Sequence, residues 1–395
     1  MELKEYFQLM FLLIDSLTLF HLTWIFIRDL LVRISFYDAL LISTLFHVAL
    51  LISATISAFL LHKKLRSRLF LLFWILLGTC TYFISATFIA EVVPNLAVIS
   101  LILGAVIGVG ILSCFVFFAD FTSIEKRGHF GALAFCAIQL LTVLIYSLIN
   151  ELSVTDKLLF FGVWRFIGVT GVFSYKQKSQ ENVKQSFSSL ASEKSFILYF
   201  TPWFLFCLIN FVEAPVLERF FGLELFNIYS AIGIVISSVS VFLGGILCDS
   251  RGRRATSIVG FILLGVGYAI LSLFQTQFSI ILFMLFDGTA WGILYVTFIF
   301  VIWGDFSEKG MHEKYYLLGN MPFLLSSWIQ TLAKPFVEVI PIYTSFSLAS
   351  FFLFLAVVPL MFAPETLPEK ALRERELRSY IEKAKRVREK FTKDQ

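Results

Sequence analysis

The chain has 395 residues, 58% of them hydrophobic and 15% charged, and a formal net charge of +4. Soluble domains average about 45–50% apolar and about 25% charged residues. With 47 phenylalanines among them, these apolar side chains cannot all face one water-excluded core, which excludes an ordinary soluble domain and makes lipid the solvent for much of the surface.

A helix needs about 20 mostly apolar residues to cross the roughly 30 Å hydrocarbon layer. Twelve such stretches follow one another. The first six are 6–27, 36–61, 68–90, 95–118, 130–149 and 158–174. The first is too long for the apolar core of a secretory signal, and it contains Asp15. A polar linker, 175–195, rich in lysine and serine, follows the sixth. The second six are 196–213, 225–248, 255–274, 278–303, 315–338 and 341–362. The sixth is short, and the eleventh contains Pro322 and Pro335. In the charged tail, 364–395, Leu377, Ile381, Ala384, Val387 and Phe391 recur near helical spacing, the pattern of an amphipathic helix lying on a membrane surface as an anchor or partner site. The expected fold is all-α and polytopic, with two six-helix halves, 1–174 and 196–363.

Orientation follows from lysine and arginine. With both termini cytoplasmic, only Arg28, Arg33, Lys157, Arg219 and Lys334 of the 32 basic residues fall on the opposite side, and Arg165 lies within a span. A multi-pass protein of the plasma membrane with cytoplasmic termini is expected. Cys80, Cys114, Cys136, Cys207 and Cys248 form no CxxC or Cys/His cluster, so neither a disulfide framework nor a metal site is expected, and no cofactor is called for.

The two halves resemble each other at an interval of about 185 residues. Ala119-Asp120-Phe121-Thr122 follows the fourth span and Gly304-Asp305-Phe306-Ser307 the tenth. Gly104 and Gly108 fall close to Gly288 and Gly292, at an i,i+4 spacing that lets helices approach closely. At the same interval the run GGILCDSRGRR, residues 244–254, falls on residues 59–69 and sets Arg251 and Arg253 on Arg66 and Arg68. Two duplicated six-helix halves are the plan of a class of secondary transporters.

GGILCDSRGRR has a physical logic of its own. Gly244 and Gly245 end the eighth span and permit a close helix contact. Asp249 lies in reach of another helix N-terminus or an arginine. Gly252 allows a tight turn, and Arg253 and Arg254 open the ninth span. A charge pair here can close one mouth of the molecule in one conformation and break in another.

With Gly245, Leu247, Asp249, Gly252, Arg253 and Arg254, the run resembles the motif G-x-L-a-D-r-x-G-R-K of the major facilitator superfamily; Cys248 and Ser250 depart from it. Asp120 with Glu125-Lys126-Arg127-Gly128 looks like that family's loop between helices 4 and 5, and Ala363-Pro364-Glu365-Thr366 like the acidic ending after helix 12. The resemblance implies a gating role for Gly245, Asp249, Arg251, Gly252, Arg253 and Arg254, with a partner near the start of helix 5. It also implies a loop pair of Asp120, Arg127 and Asp305, and a central cavity lined by helices 1, 4, 7 and 10. Four departures stand out. The copy of the motif between helices 2 and 3 keeps only basic residues. Ser100 stands about where helix 4 would carry the family's arginine. Helix 5 lacks the glycine-proline pattern of drug/proton antiporters, and no sugar-porter signature follows helix 6.

Ionisable groups near the bilayer centre are functional candidates by default. Asp15 lies about ten residues into the first span, roughly 15 Å deep; Asp287 is similarly placed in the tenth. On helices that the resemblance sets around the cavity, both suit proton uptake and release. Each also has a packing reading, Asp15 with Ser16 or Thr18 and Asp287 beside Gly288. Arg165 in the sixth span reads as a structural ion pair or a snorkelling cation. His47, Gln139, Asn210 and Gln330 suit either a cavity wall or interhelical hydrogen bonds. Glu213, Glu218 and Glu224 read as a solvated cluster beyond the seventh span.

The leading reading is a secondary active transporter of a small solute, with protons as a coupling ion and the lipid bilayer and solute as partners. Its rival is a protein of this fold that no longer transports and serves as a sensor or scaffold, suggested by the lost motif between helices 2 and 3. No Ser/His, His/Glu or paired-Asp constellation suggests an enzyme, and nothing suggests nucleic-acid contacts.

Overall fold

The computed structural model describes residues 3–89, 92–172, 193–274, 276–307, 311–337 and 339–368, and over these it contains helices but no strand. The N-terminal half comprises α1 (Leu3–Leu31), α2 (Phe36–Phe59), α3 (Arg68–Phe88), α4 (Val93–Phe121), α5 (Arg127–Ile149) and α6 (Val154–Ile167). The C-terminal half begins with α7 (Lys194–Phe221), α8 (Leu223–Arg251), α9 (Arg253–Leu273) and α10 (Gln277–Tyr295). It ends with α11 (His312–Leu324), α12 (Ser326–Val337), α13 (Ile342–Leu355) and α14 (Val357–Phe362). The expected linker lies outside the described residues except for 193–195, as does the expected amphipathic tail beyond 368.

Ten helical spans among the described residues are long and apolar enough to cross a membrane, and the chain is a multi-pass membrane protein. The other two expected crossings are broken ones. The sixth is α6, of 14 residues, prolonged by a 3₁₀ stretch at Gly168–Val172. The eleventh divides into α11 and α12 at Leu325, three residues after Pro322, whose missing N–H and ring interrupt the helical ladder. The tenth crossing runs through α10, a π-helical stretch Val296–Val301 and a last turn Ile302–Phe306. Tyr316 Oη donates to the Phe300 carbonyl at 2.6 Å and Asn320 Nδ2 to that of Ile299 at 3.4 Å, so α11 satisfies backbone groups of the π stretch.

Three helix starts carry local side-chain caps. Ser35 caps α2 and Ser153 caps α6, each accepting from the N–H of the aspartate three residues on, and Thr276 caps α10 from Ser279 N–H. These are local N-caps, each normally worth about 1 kcal/mol, and all lie at the end of the bundle away from GGILCDSRGRR. At the motif end, the N-cap residues of α5 and α9, Lys126 and Gly252, offer no side-chain cap.

Within each half the duplicated glycines bring helices together. A Cβ on Gly108 would meet the Leu50 carbonyl of α2, and one on Gly292 would lie 2.6 Å from the Ser237 carbonyl of α8. The halves meet along α5 with α8, along α2 with α11 and α12, and along α4 with α11. Exposed Ile52, Ile56, Ile84, Val235, Val239 and Leu243 supply an apolar outer surface of the kind a bilayer solvates. Gly108→Val must push α2 from α4, and overpacking of this kind costs about 1–3 kcal/mol. It is expected to lower the thermal midpoint of the purified protein, whereas Gly233→Ala, which meets no atom within 4 Å, is expected to leave it unchanged or raise it.

Candidate functional site

At the motif end the two halves are tied by charge. Asp249 accepts from the backbone N–H of Gly128 and of His129, both at 2.9 Å, and from His129 Nδ1. The carboxylate of one half thus caps the N-terminus of α5 in the other, where the helix dipole favours negative charge. The approach is close because neither backbone carries a side chain there: a Cβ on Gly128 would lie 2.6 Å from the Gly245 carbonyl. Gly252 has φ 96°, in the left-handed region that glycine adopts without strain. This turn directs Arg253 inward, where it is fully buried.

Arg253 Nε donates to Asp305 at 2.7 Å, Nη1 to the Cys248 carbonyl at 2.8 Å, and Nη2 to the Ile124 carbonyl across the interface. Arg127, at the start of α5, reaches Asp305 from the other half at 2.5 Å. Glu365 accepts from Arg253 N–H at 2.7 Å and Arg254 N–H at 3.2 Å, and so caps α9. Thr366 Oγ1 adds a bond to Asp305 at 3.2 Å. Arg251 is exposed and makes none of these contacts.

The N-terminal half repeats this arrangement around a second aspartate, with one contact changed in charge. Asp120 receives Arg66 Nε at 2.5 Å from its own half and faces His312 Nε2 of the other half at 3.3 Å. Asp120 and Asp305, like Arg127 and His312, stand at the same interval of 185 residues. The expected match of Arg66 and Arg68 to Arg251 and Arg253 is corrected here. Arg68 and Arg253 do both open helices, but Arg68 is exposed, and the side chain that takes the place of Arg253 is Arg66, which is buried. The loop itself keeps only basic residues, as read from the sequence. Arg66 Nη1 also reaches Glu313 at 3.4 Å. Glu313 occupies the position of Gly128, so the carboxylate missing from the loop is supplied by the facing helix. Burial disfavours the charged form of Arg66, but its bonds to Asp120 and Glu313 outweigh this and raise its pKa.

Above this closed end lies an aromatic layer. Phe115 stacks on Tyr316 at 5.2 Å, and Phe118 and Phe135 meet Phe300 edge-on at 5.1 and 6.1 Å. Beyond the layer a cavity of about 360 Å³ opens between the halves. It is walled by α1, α5, α7, α8, α9, α10, α11 and α12. Asp287, Asn210 and Gln139 line it. Asp287 Oδ2 accepts from Tyr229 Oη at 2.6 Å and Oδ1 from Trp291 Nε1 at 3.0 Å. Asn210 donates to the Phe206 carbonyl at 2.9 Å, and its buried Oδ1 has no protein partner among the described residues. Gln139 bonds Ser237 and Ser238 across the α5–α8 interface.

The remaining candidates lie elsewhere. Asp15 is not in the cavity wall: it is buried inside the N-terminal half, 3.4 Å from Arg165 Nη1. That guanidinium also donates to Ser16 Oγ at 2.8 Å and sits 3.9 Å over the Trp74 ring. The reason is rotational: α1 turns Asp15 toward α6, while Phe20, His21 and Trp24 face the cavity. His47 stands behind the wall and bonds Ser327 Oγ at 2.7 Å, tying α2 to α12. Gln330 is half-buried outside the wall. Glu213 is buried and accepts from Ser345 Oγ at 2.5 Å, not solvated as expected, because α7 continues to Phe221. His21, Tyr229 and Trp291 were not singled out in the sequence; Trp291 stands one turn after Asp287, a spacing that could have signalled it.

The exchanged pair predicts coupling between α11 and the loop after α2. In a double-mutant cycle, Arg66→Gln and Glu313→Gln are expected to be non-additive in thermal stability by about 0.5–3 kcal/mol. Lys63→Gln with Glu313→Gln is expected to be additive.

No protein-family model and no curated protein sequence matches the chain. Solved structures do. The crystal structure of FucP, a major facilitator superfamily transporter in the outward conformation, has a TM-score of 0.73 at 13% identity, covering 90% of this chain and 98% of that one. The human organic anion transporter MFSD10 (TETRAN) has a TM-score of 0.69 at 14% identity, covering 89% and 98%. The proton:xylose symporter XylE, bound to 6-bromo-6-deoxy-D-glucose, has 0.65 at 13% identity, covering 91% and 94%. A likeness at these identities is one of fold, and the fold of this chain is that of the major facilitator superfamily.

Proposed function

We propose that the chain is a secondary active transporter of a small solute, working by alternating access. The observation that carries this reading is the cavity between two pseudo-symmetric halves, closed at one end only by contacts made between segments. In this reading residues 1–174 and 196–363 rock against each other about a midplane site, joined by the linker 175–195. Both termini and the tail 364–395 lie on the cytoplasmic side of the plasma membrane. The lock is then cytoplasmic and the cavity belongs to the outward-facing form. Arg66 with Asp120 and Glu313 supplies the interaction whose loss suggested a sensor or scaffold, which supports transport over that rival.

Coupling to protons is assigned to Asp287. Asp287 meets the cavity, whereas Asp15 is paired with Arg165 and Glu213 is bonded to Ser345 outside the wall. In proteoliposomes, Asp287→Asn is expected to abolish the dependence of transport on a pH gradient. Asp15→Asn is expected to lower stability, by leaving Arg165 buried without its partner, and to keep that dependence. Retained gradient dependence in Asp287→Asn removes the assignment. Asp249→Asn keeps an acceptor but loses the charge at the start of α5. A shift of about 1.4 kcal/mol in the conformational equilibrium corresponds to about tenfold, so about tenfold slower transport is expected for this variant and less than about twofold for Lys63→Gln. Vesicles that move no solute, and protein that binds none, across sugars, organic acids, amino acids and cations would contradict the transporter reading.

A further inference from the structure

The buried carboxylates differ in how they are neutralised. Asp15, Asp249 and Asp305, and the less buried Asp120, each face an arginine or a histidine; Glu213 has a neutral donor in Ser345 but does not line the cavity. Asp287 is held only by neutral donors, one on each oxygen, and among the described residues the cavity wall contains no lysine or arginine. The protein therefore places a carboxylate at the cavity without placing a cation beside it. A negative charge entering this low-dielectric space would face Asp287 with nothing to offset the repulsion, and a positive one would complete it.

The rest of the wall suits a cation with an apolar body. Asp287, Trp291 and Tyr295 follow one another at i, i+4 and i+8 on one face of α10, and all three line the cavity. The Trp291 and Tyr295 rings meet edge-to-face at 4.7 Å, and Tyr295 meets Phe323 at 5.4 Å and Phe135 at 5.0 Å. Aromatic faces attract ammonium and alkylated ammonium groups through their quadrupole. The wall adds acceptors. Asn210 Oδ1 has no protein partner among the described residues. His21 bonds the Leu17 carbonyl through Nδ1 at 2.7 Å, a tautomer that leaves Nε2 as an acceptor. At about 360 Å³ the cavity lies near the lower end of the range for small-molecule sites.

We infer that the solute is an organic monocation of modest size, its ammonium group on Asp287 and its apolar body against Trp291, Tyr295 and Phe323. This rests on the cavity being the solute site. Cation and proton then share one carboxylate and exclude each other, so that solute entering from one side releases the proton Asp287 carried. The direction of coupling is exchange of cation for proton.

The test compares three probes of similar size on the purified full-length protein in lipid nanodiscs: benzyltrimethylammonium, benzyl alcohol and benzenesulfonate. Binding is read by calorimetry, and occupancy by protection of an Ala214→Cys variant, whose position lines the cavity, from alkylation. The cation is expected to bind at least about tenfold more tightly than either other probe, to weaken as pH falls, and to protect the cysteine. Asp287→Asn is expected to remove at least about tenfold of that affinity, while Asp15→Asn removes none. Binding and protection by the alcohol or the sulfonate but not the cation keeps the cavity as the solute site and overturns the cation assignment. Binding of the cation with no loss in a folded Asp287→Asn protein also overturns it. Absence of binding and protection by all three overturns both the assignment and the reading of the cavity as the solute site.

Discussion

At the motif end, the starts of α5 and α9 depend on carboxylates that their own first turns do not provide. An α-helix begins with four unsatisfied N–H groups. At the far end a serine or threonine in the preceding residue meets part of this need at three helices, through Ser35, Ser153 and Thr276. At the motif end Asp249 does so for α5 from across the interface, and Glu365 for α9 from beyond the last crossing. A local cap moves with its helix. A cap lent by another segment is lost when the segments part, and water can replace it. Arg253, beside both caps, joins them to Asp305 and Arg127, while Arg66, Asp120, His312 and Glu313 form a second cluster.

The network has the energetics of a lock rather than of a weld. Arg127, Arg253 and Asp305 are buried, and charges removed from water lose hydration that their mutual attraction only partly restores. Separation returns each to solvent, so the closed form is held by a modest difference between large opposing terms. Neutralising one member leaves the others buried and unpaired, so single substitutions are expected to act strongly here. The second lock reaches the same end with the carboxylate moved from loop to helix: Glu313 stands where Gly128 stands, and Arg66 faces it where Asp249 caps. The duplication preserved opposite charge across the interface while exchanging which side carries it.

The tenth crossing joins the two sites. Asp287 meets the cavity and Asp305 anchors the lock, 18 residues apart in one continuous helical path, or about 27 Å at 1.5 Å per residue. The π-helical stretch between them shifts the facing of the residues that follow, and such stretches often occur at functional sites. Its carbonyls are held by Tyr316 and Asn320 of α11, the helix that begins with His312 and Glu313. Asp287 and Asp305 thus lie on one helix, two of whose carbonyls are held by the same neighbour that supplies His312 and Glu313 to the second ion-pair cluster. Much of this was legible in the sequence. Apolar runs located the crossings, and GGILCDSRGRR with Asp120 and Asp305 located the closed end. What periodicity could not give was rotation and partnership. Asp15 and Asp287 look alike as intramembrane carboxylates, and only the packing of α1 against α6 turns one away from the cavity. Glu313, 64 residues beyond Asp249, becomes its counterpart only once two helices from different halves face each other.

The central claim is that the lock at the motif end and access at the far end are two faces of one equilibrium. Pulsed electron resonance on nitroxides at Ser123 and Ser250, both exposed at the motif end, and in a second sample at Val32 and Val339, both exposed at the far end, measures the two openings. In the Asp249→Asn, Glu313→Gln double variant, a population with a longer motif-end distance is predicted to appear, with an equal population showing a shorter far-end distance. A motif end that spreads while the far-end distances stay as in the unaltered chain would contradict the account.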